Sequence, residues 1–217
     1  MITRKTVLGL LIIVLLMSAA SALVYPMLPE RIAIHWNAQG QADGYGSRLN
    51  AVGFLPLLTV GIALLLLFLP ALDPLKTNLR CFRREYNSFV LFFAGFMAYI
   101  HFLTLAWNLG WRVDMTRALA PAFAVLSYFI GVLLSKARRN WFIGIRTPWT
   151  MSSDVVWERT HRLASGWFKM AGGVSLLGLL FARHAFLFIL APLILVSLSA
   201  VVLSYVEYRR LTLLGKD

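Results

Sequence analysis

Asp154, Glu158 and His161 fall at i, i+4 and i+7 of a stretch with helical signals, so one stripe of a helix carries two carboxylates and an imidazole. The Glu158-x-x-His161 spacing is that of carboxylate-bridged metal sites in helix bundles, whose complete form needs a second such motif and two further carboxylates. The chain offers no second copy. Metal or acid/base chemistry at these three residues therefore competes with a plainer reading, an exposed charged face on which Glu158 pairs with Arg162 in the favourable four-residue order. His35 and Asp43 are another imidazole and carboxylate in one loop, but two ligands are too few for a closed zinc site. Their alternative role is to hydrogen-bond a turn. His101 is the ionisable side chain nearest the middle of an apolar segment, placed either to relay protons or to hydrogen-bond a neighbouring helix. No serine-nucleophile motif, no H-E-x-x-H and no paired intramembrane aspartates occur, so no catalytic residue is assigned, no enzyme is expected, and no cofactor or metal is called for.

The elements that must position these residues are set by apolar length. Of 217 residues, 59% are hydrophobic and 14% charged, too apolar for one soluble domain and long enough for several membrane spans. Six segments can cross as helices: approximately Thr6 to Val24, Ala51 to Leu69, Ser88 to Leu109, Arg117 to Leu134, Gly166 to Phe181 and Ala185 to Tyr205. The first imitates a secretory signal, with Ala20-Ser21-Ala22 as its cleavage site, but its apolar character continues past Ala22 to a spanning length. The formal net charge of +12 comes from Lys and Arg set between the apolar blocks, which suits membrane topology and lipid headgroups rather than nucleic acid. With both termini cytoplasmic, fifteen of these cations, Lys216 included, fall on the inner side and five on the outer, Arg31, Arg48, Arg112, Arg117 and Arg183. The positive-inside rule favours that orientation. Cys81, the one cysteine, excludes an internal disulfide.

Two polar loops then face opposite sides, residues 25–50 outside and 135–165 inside. In the outer loop Pro26 and Pro29 end the first helix, and Ile32, Ile34 and Trp36 alternate as one apolar face of a short strand. Asn37-Ala38-Gln39-Gly40 and Asp43-Gly44 supply turns, so the loop is a small folded cap with a short β-hairpin. In the inner loop Trp141 to Ile145 is an apolar patch broken by Gly144, and Arg146-Thr147-Pro148-Trp149 predicts an extended turn. From Ser152 or Ser153, either of which can cap, an amphipathic helix with Val156, Leu163 and Trp167 on one face lies on the cytoplasmic interface and feeds the fifth span.

The stretch Asn140 to Gly173 closely resembles the signature of the SdpI family of bacterial membrane immunity proteins, an N-x-x-I-G-I-R-T-P-W-T core followed by W-x-x-T-H. Here the core is Asn140, Ile143, Gly144, Ile145, Arg146, Thr147, Pro148, Trp149 and Thr150, and the second part is Trp157, Thr160 and His161. The outer loop resembles the companion domain of unknown function often found ahead of it, through Pro29, Ile34, His35, Trp36, Asn37, Gly40, Asp43 and Tyr45. The resemblance implies a domain division at residues 1–75 and 76–217. It also implies protection of the producing cell from a secreted membrane-active peptide toxin, sometimes with signalling to a cytoplasmic transcriptional repressor.

The expectation is an all-α integral membrane protein of the bacterial cytoplasmic membrane: six spans, the outer cap and the inner interfacial helix. Ligand binding falls to His35, Trp36, Asn37, Asp43 and Tyr45, and signalling to the inner motif, where Arg146, Arg159 and Arg162 would meet acidic groups of a protein partner. A transporter is the alternative, weakened by the lack of Asp or Glu within the central part of any span. A membrane-embedded metal-dependent enzyme using Asp154, Glu158 and His161 is the second alternative. Partners other than the bilayer, toxin and repressor are not called, and no direct nucleic-acid contact is expected.

Overall fold

The computed structural model describes residues 1–213, so Lys216 of the charge count lies outside the described residues. Its elements in chain order are α1 (Arg4–Val24), β1 (Arg31–Trp36), β2 (Ala42–Ser47), α2 (Arg48–Leu72), α3 (Lys76–Arg80), α4 (Arg83–Asn108), α5 (Met115–Lys136), α6 (Pro148–Ser152), α7 (Asp154–Ser175) and α8 (Ala185–Leu213). Helices begin where a short polar side chain can take an orphan amide: Thr3 accepts from Thr6 before α1, Ser47 from Asn50 before α2, and Asp114 from Arg117 before α5. Five stretches are long and apolar enough to cross a membrane: Arg4–Met27, Arg48–Leu72, Arg83–Asn108, Met115–Lys136 and Ala182–Leu213. Leu15, Phe68 and Leu195 on these helices point outward, as they must when the surrounding solvent is lipid. The chain is a multi-pass membrane protein, helical apart from its two-stranded cap.

The span expected at Gly166 to Phe181 takes a different form. There is no separate interfacial helix ahead of it; α7 is continuous from Asp154 to Ser175 and is prolonged by a 3₁₀ turn, Leu176–Leu179. It is not among the five apolar stretches, because its first half carries Asp154, Glu158, Arg159 and Arg162. Packing nevertheless carries it along the whole of α5. The Trp157 indole N–H donates to the Ala137 carbonyl (2.9 Å) and the Ser127 hydroxyl to the Phe168 carbonyl (2.6 Å). Between and beyond these bonds Gly131 lies against Ser165, Gly172 against Ala124, and Gly178 against Ala120. The antiparallel order of these pairs puts α7 and its extension at the same depth as a spanning helix.

The expected face of Val156, Leu163 and Trp167 does not exist as such. Val156 is buried, Leu163 points outward, and the buried stripe runs through Trp157, His161, Ala164, Ala171, Gly172 and Ser175. In hydrocarbon the rule of amphipathicity inverts: Leu gains nothing by leaving lipid, while small residues let backbones approach and polar ones find partners.

All loops on the α4 N-terminal side gather at one end of the bundle. Asn87 of α4 accepts from the Thr3 amide (3.0 Å) and donates to the Met1 carbonyl (3.2 Å), Tyr86 bonds Leu66 of α2, and Asn78 donates to the Arg139 carbonyl (2.8 Å). At the other end Asn108 clamps the cap, accepting from the Ala33 amide (2.8 Å) and donating to the Ala33 carbonyl (2.9 Å), as a neighbouring strand would. Between them the His101 imidazole meets the Ser21 hydroxyl (2.9 Å), which also reaches the Val52 carbonyl, tying α4, α1 and α2.

In the cap, β1 pairs antiparallel with β2, with register breaks between Ala33 and His35 and between His35 and Trp36. The bulge interrupts the alternation the sequence predicts: Ile32 and Ala33 are both buried and Ile34 is exposed. Gly40 takes the expected positive φ (+75°) in the turn, where the Asn37 carboxamide oxygen accepts from Gln39 and Gln41. Asp43-Gly44, expected as a second turn, belongs to β2 instead.

The α5–α7 seam yields a paired test. A Cβ at Gly172 would stand 2.5 Å from the Ala124 carbonyl oxygen, whereas one at Gly173 meets nothing within 4 Å. Gly172→Ala is expected to destabilise the protein by about 1–3 kcal/mol in a detergent unfolding titration. Gly173→Ala should leave the midpoint unchanged or slightly raised.

Candidate functional site

The inner motif residues converge on one knot at the end of the bundle, built around Asn140. This side chain is fully buried; its nitrogen donates to the carbonyls of Arg138 and Ile143 (both 2.8 Å), and its oxygen accepts from the amides of Phe142 (3.0 Å) and Ile143 (2.6 Å). One carboxamide thus satisfies four backbone groups of a turn that no helix serves. The buried Asp73 carboxylate, at the end of α2, accepts from the amides of Leu75 (2.7 Å) and Trp141 (2.9 Å) and fastens the knot to the first half of the chain.

Gly144 follows with φ +121°, a conformation side chains rarely adopt, and a Cβ added there would collide with His161 and crowd Trp157. His161 stacks on Trp157 (centroids 4.0 Å apart) and spends both ring nitrogens on the backbone. Nε2 accepts from the Ile145 amide (2.9 Å), which leaves Nδ1 to carry the proton toward the Trp157 carbonyl (2.8 Å). Its tautomer is therefore fixed as the neutral Nδ1–H form, with no free lone pair for a metal or a proton.

Thr147 and Thr150 form a reciprocal cap. The Thr147 hydroxyl accepts from the Thr150 amide (3.2 Å), and the Thr150 hydroxyl accepts from the Thr147 amide (3.0 Å). With Pro148 at the first helical position, this starts α6 where the sequence predicts only an extended turn. The Thr147 hydroxyl also reaches Ser204 of α8 (2.9 Å), and Trp149 packs on Tyr205 (5.1 Å). Thr160 is fully buried, and Arg146 remains exposed, its guanidinium donating to the Trp141 carbonyl.

The three stripe residues part company. Asp154 and Glu158 stay exposed and pair with Arg139 (2.8 Å) and Arg138 (3.8 Å), while His161 turns inward. The expected Glu158 to Arg162 pair is replaced by the Arg138 pair, because Arg138 at the end of α5 reaches across. Among the described residues no group of three or more His, Cys, Asp or Glu is arranged to hold a metal. Beside the knot lies an open cleft of about 690 Å³ whose walls carry both signs, Glu85, Asp154 and Glu158 against Lys136, Arg138, Arg139 and Arg162.

The cap residues sit at the opposite end. His35 Nδ1 and Asp43 Oδ1 lie 2.6 Å apart across the two strands, on the exposed side, so they bond each other rather than the turn. Trp36 packs edge-on against Trp107 of α4 (5.5 Å), and Tyr45 is exposed beneath the Arg31 guanidinium. Trp36, Asn37, Thr116 and Phe186 border an apolar recess of about 280 Å³ between cap, α5 and α8. Asp73, Asn87, Asn108, Ser204 and Glu207 were not singled out by the sequence reading. The usable signal was their polarity within or at the edge of apolar segments.

Residues 136–206 match the model of the SdpI/YfhL protein family, and residues 12–60 match DUF1648, a domain of unknown function. The chain is 25% identical over 209 residues to the Immunity protein SdpI of Bacillus subtilis (strain 168), a match covering 96% of this chain and 98% of that protein. No solved structure matches it. The resemblance read from the inner motif and the outer loop holds in both segments.

Gly144→Ala must both strain the backbone and push into His161, so it is expected to cost about 1–3 kcal/mol and to raise hydrogen exchange at residues 140–150. Gly166→Ala, with nothing within 4 Å of the added carbon, should leave the exchange pattern unchanged.

Proposed function

We propose that this chain, carrying an SdpI/YfhL segment behind a DUF1648 segment, is a bacterial membrane immunity protein. It protects the cell against a secreted membrane-active peptide toxin, and it reports to a cytoplasmic repressor through its inner motif. The observation that carries the reading is the placement of two polar, motif-bearing surfaces at opposite ends of one bundle, in a chain that aligns end to end with an immunity protein.

The cap end is taken as the outer, toxin-facing side. There His35, Asp43 and Tyr45 are exposed, Trp36 and Asn37 edge the apolar recess, and the recess opens beside lipid-facing helices, which suits an apolar peptide arriving through the outer leaflet. The knot end is taken as cytoplasmic, because it gathers most of the Lys and Arg. Its exposed Arg146 and its two-signed cleft offer a charged surface to a protein partner. Asn140, Gly144, Thr147, Pro148, Trp149, Trp157, Thr160 and His161 shape that surface rather than contact the partner.

The function is binding, not catalysis: His161, the histidine of the stripe, has both nitrogens engaged by backbone. Residues 1–75 and 76–217 are read as companion and family units. Asn87 and Asn108 nonetheless join them into one bundle by holding Met1, Thr3 and Ala33.

Expression in a toxin-sensitive bacterium tests the assignment. Wild type should restore growth, His35→Ala should weaken protection about tenfold in the toxin dose tolerated, on the order of the 1.4 kcal/mol that one hydrogen bond supplies, and Arg146→Ala should keep protection while losing induction of a repressor-controlled reporter. A wild type that gives no protection against any secreted peptide toxin removes the reading.

Orientation is tested with single cysteines at Gln41 and Ser152 in a Cys81→Ser background. A membrane-impermeant thiol reagent applied to whole cells should label the first and spare the second; the reverse pattern inverts the assignment of the two ends.

A further inference from the structure

Glu207, near the end of α8, is buried and held between Arg159 of α7 and Arg210, each at 3.3 Å. Around it Arg159, Arg162, Leu163, Glu207 and Arg210 line a recess of about 290 Å³. Three guanidiniums thus face a single carboxylate, which is shared by two of them; Arg162 has no ion pair among the described residues. The charge left over is that of an anion site, and guanidinium is the side chain best matched to phosphate oxygens.

The surroundings indicate how the anion arrives. Leu163 on the rim is one helical turn beyond Arg159 along α7, away from the knot end, and Gly166 and Met170 follow on the same face. All three are exposed, Met170 at 68%, so an apolar track leads from the recess into the hydrocarbon layer. A phosphate at the recess with an acyl chain along that track uses both features at once.

We propose that the recess between α7 and α8 binds the phosphate of an anionic lipid headgroup, with Arg162 and Arg210 as its principal contacts. Arg159 keeps Glu207 paired and the two helices joined. The larger cleft by the knot, which Arg162 also borders, otherwise sets Glu85, Asp154 and Glu158 against Lys136, Arg138 and Arg139 and does not share this preference. The site does not depend on the immunity reading.

The test uses the full chain purified in neutral detergent, titrated with phosphatidylglycerol, phosphatidylcholine or inorganic phosphate and read by native mass spectrometry. Wild type is expected to bind phosphatidylglycerol at least about tenfold more tightly than phosphatidylcholine, since each basic residue near an anionic headgroup contributes roughly a fivefold preference. Millimolar phosphate should not compete. The Arg162→Gln/Arg210→Gln variant leaves Arg159 on Glu207 and should lose the preference, while Arg83→Gln/Arg84→Gln, which removes equal charge at the same end, should retain it.

Equal binding of the two lipids, or a recess variant indistinguishable from wild type, overturns the proposal. Competition by phosphate without selectivity for the lipid makes it a free-phosphate site and overturns the lipid assignment. A recess variant that keeps its lipid preference but loses reporter induction makes these arginines a protein contact, with the same consequence.

Discussion

Backbone that is neither helix nor sheet must find its hydrogen bonds inside the protein when it lies at a membrane boundary, and the turn between α5 and α6 meets that demand with side chains, chief among them Asn140 and His161. Asn140 answers four backbone groups and His161 answers the amide of Ile145. The geometry leaves no room for a side chain at Gly144, since an added Cβ would run into the His161 and Trp157 rings. The family-like motif is thereby explained as a set of mutually dependent backbone satisfactions. Its conspicuous histidine is part of the scaffold, and the surface available to a partner is what the scaffold presents, Arg146 and the charged walls of the cleft.

The knot depends in turn on the α5–α7 seam. Gly131 and Gly172 let the two helix backbones approach closely, and the hydroxyl of Ser127 and the indole of Trp157 add bonds at two depths. This close packing lets α7 accompany a spanning helix although its first half is charged. Three charges of that half are paired at the end of the bundle, Asp154 with Arg139, Glu158 with Arg138 and Arg159 with Glu207. Helix α8 is then fixed against both by Ser204, Tyr205 and Glu207.

The two polar surfaces are separated by helices whose few internal polar groups are used to join them. Ser21, His101 and Val52 make such a junction in the cap half, and Thr6 with Asn87 makes one near the N-terminus. An intramembrane histidine bonded to a serine on the next helix is a staple in this arrangement. The cap is likewise held by Asn108 acting as a strand neighbour and by Trp36 packed on Trp107, so the cap is a folded unit of defined orientation on α4. An immunity function as proposed needs such an arrangement: one face formed where an apolar peptide arrives, another where a cytosolic partner can read it.

The sequence by itself determined the membrane class, the five strongly apolar spans, the position of both polar loops and the cap turn with Gly40, because apolar length, charge asymmetry and turn chemistry are local properties. It also marked the motif residues by type and spacing. It could not show that the fifth expected span and the interfacial helix are one α7, since small-residue packing against α5 offsets a polar composition that hydropathy alone counts against crossing. The bulge that exposes Ile34, the exchange of Arg162 for Arg138 as partner of Glu158, and the inward turn of His161 were likewise decided by tertiary contacts. Each depends on which group from a distant element arrives within hydrogen-bonding reach, and no local spacing encodes that.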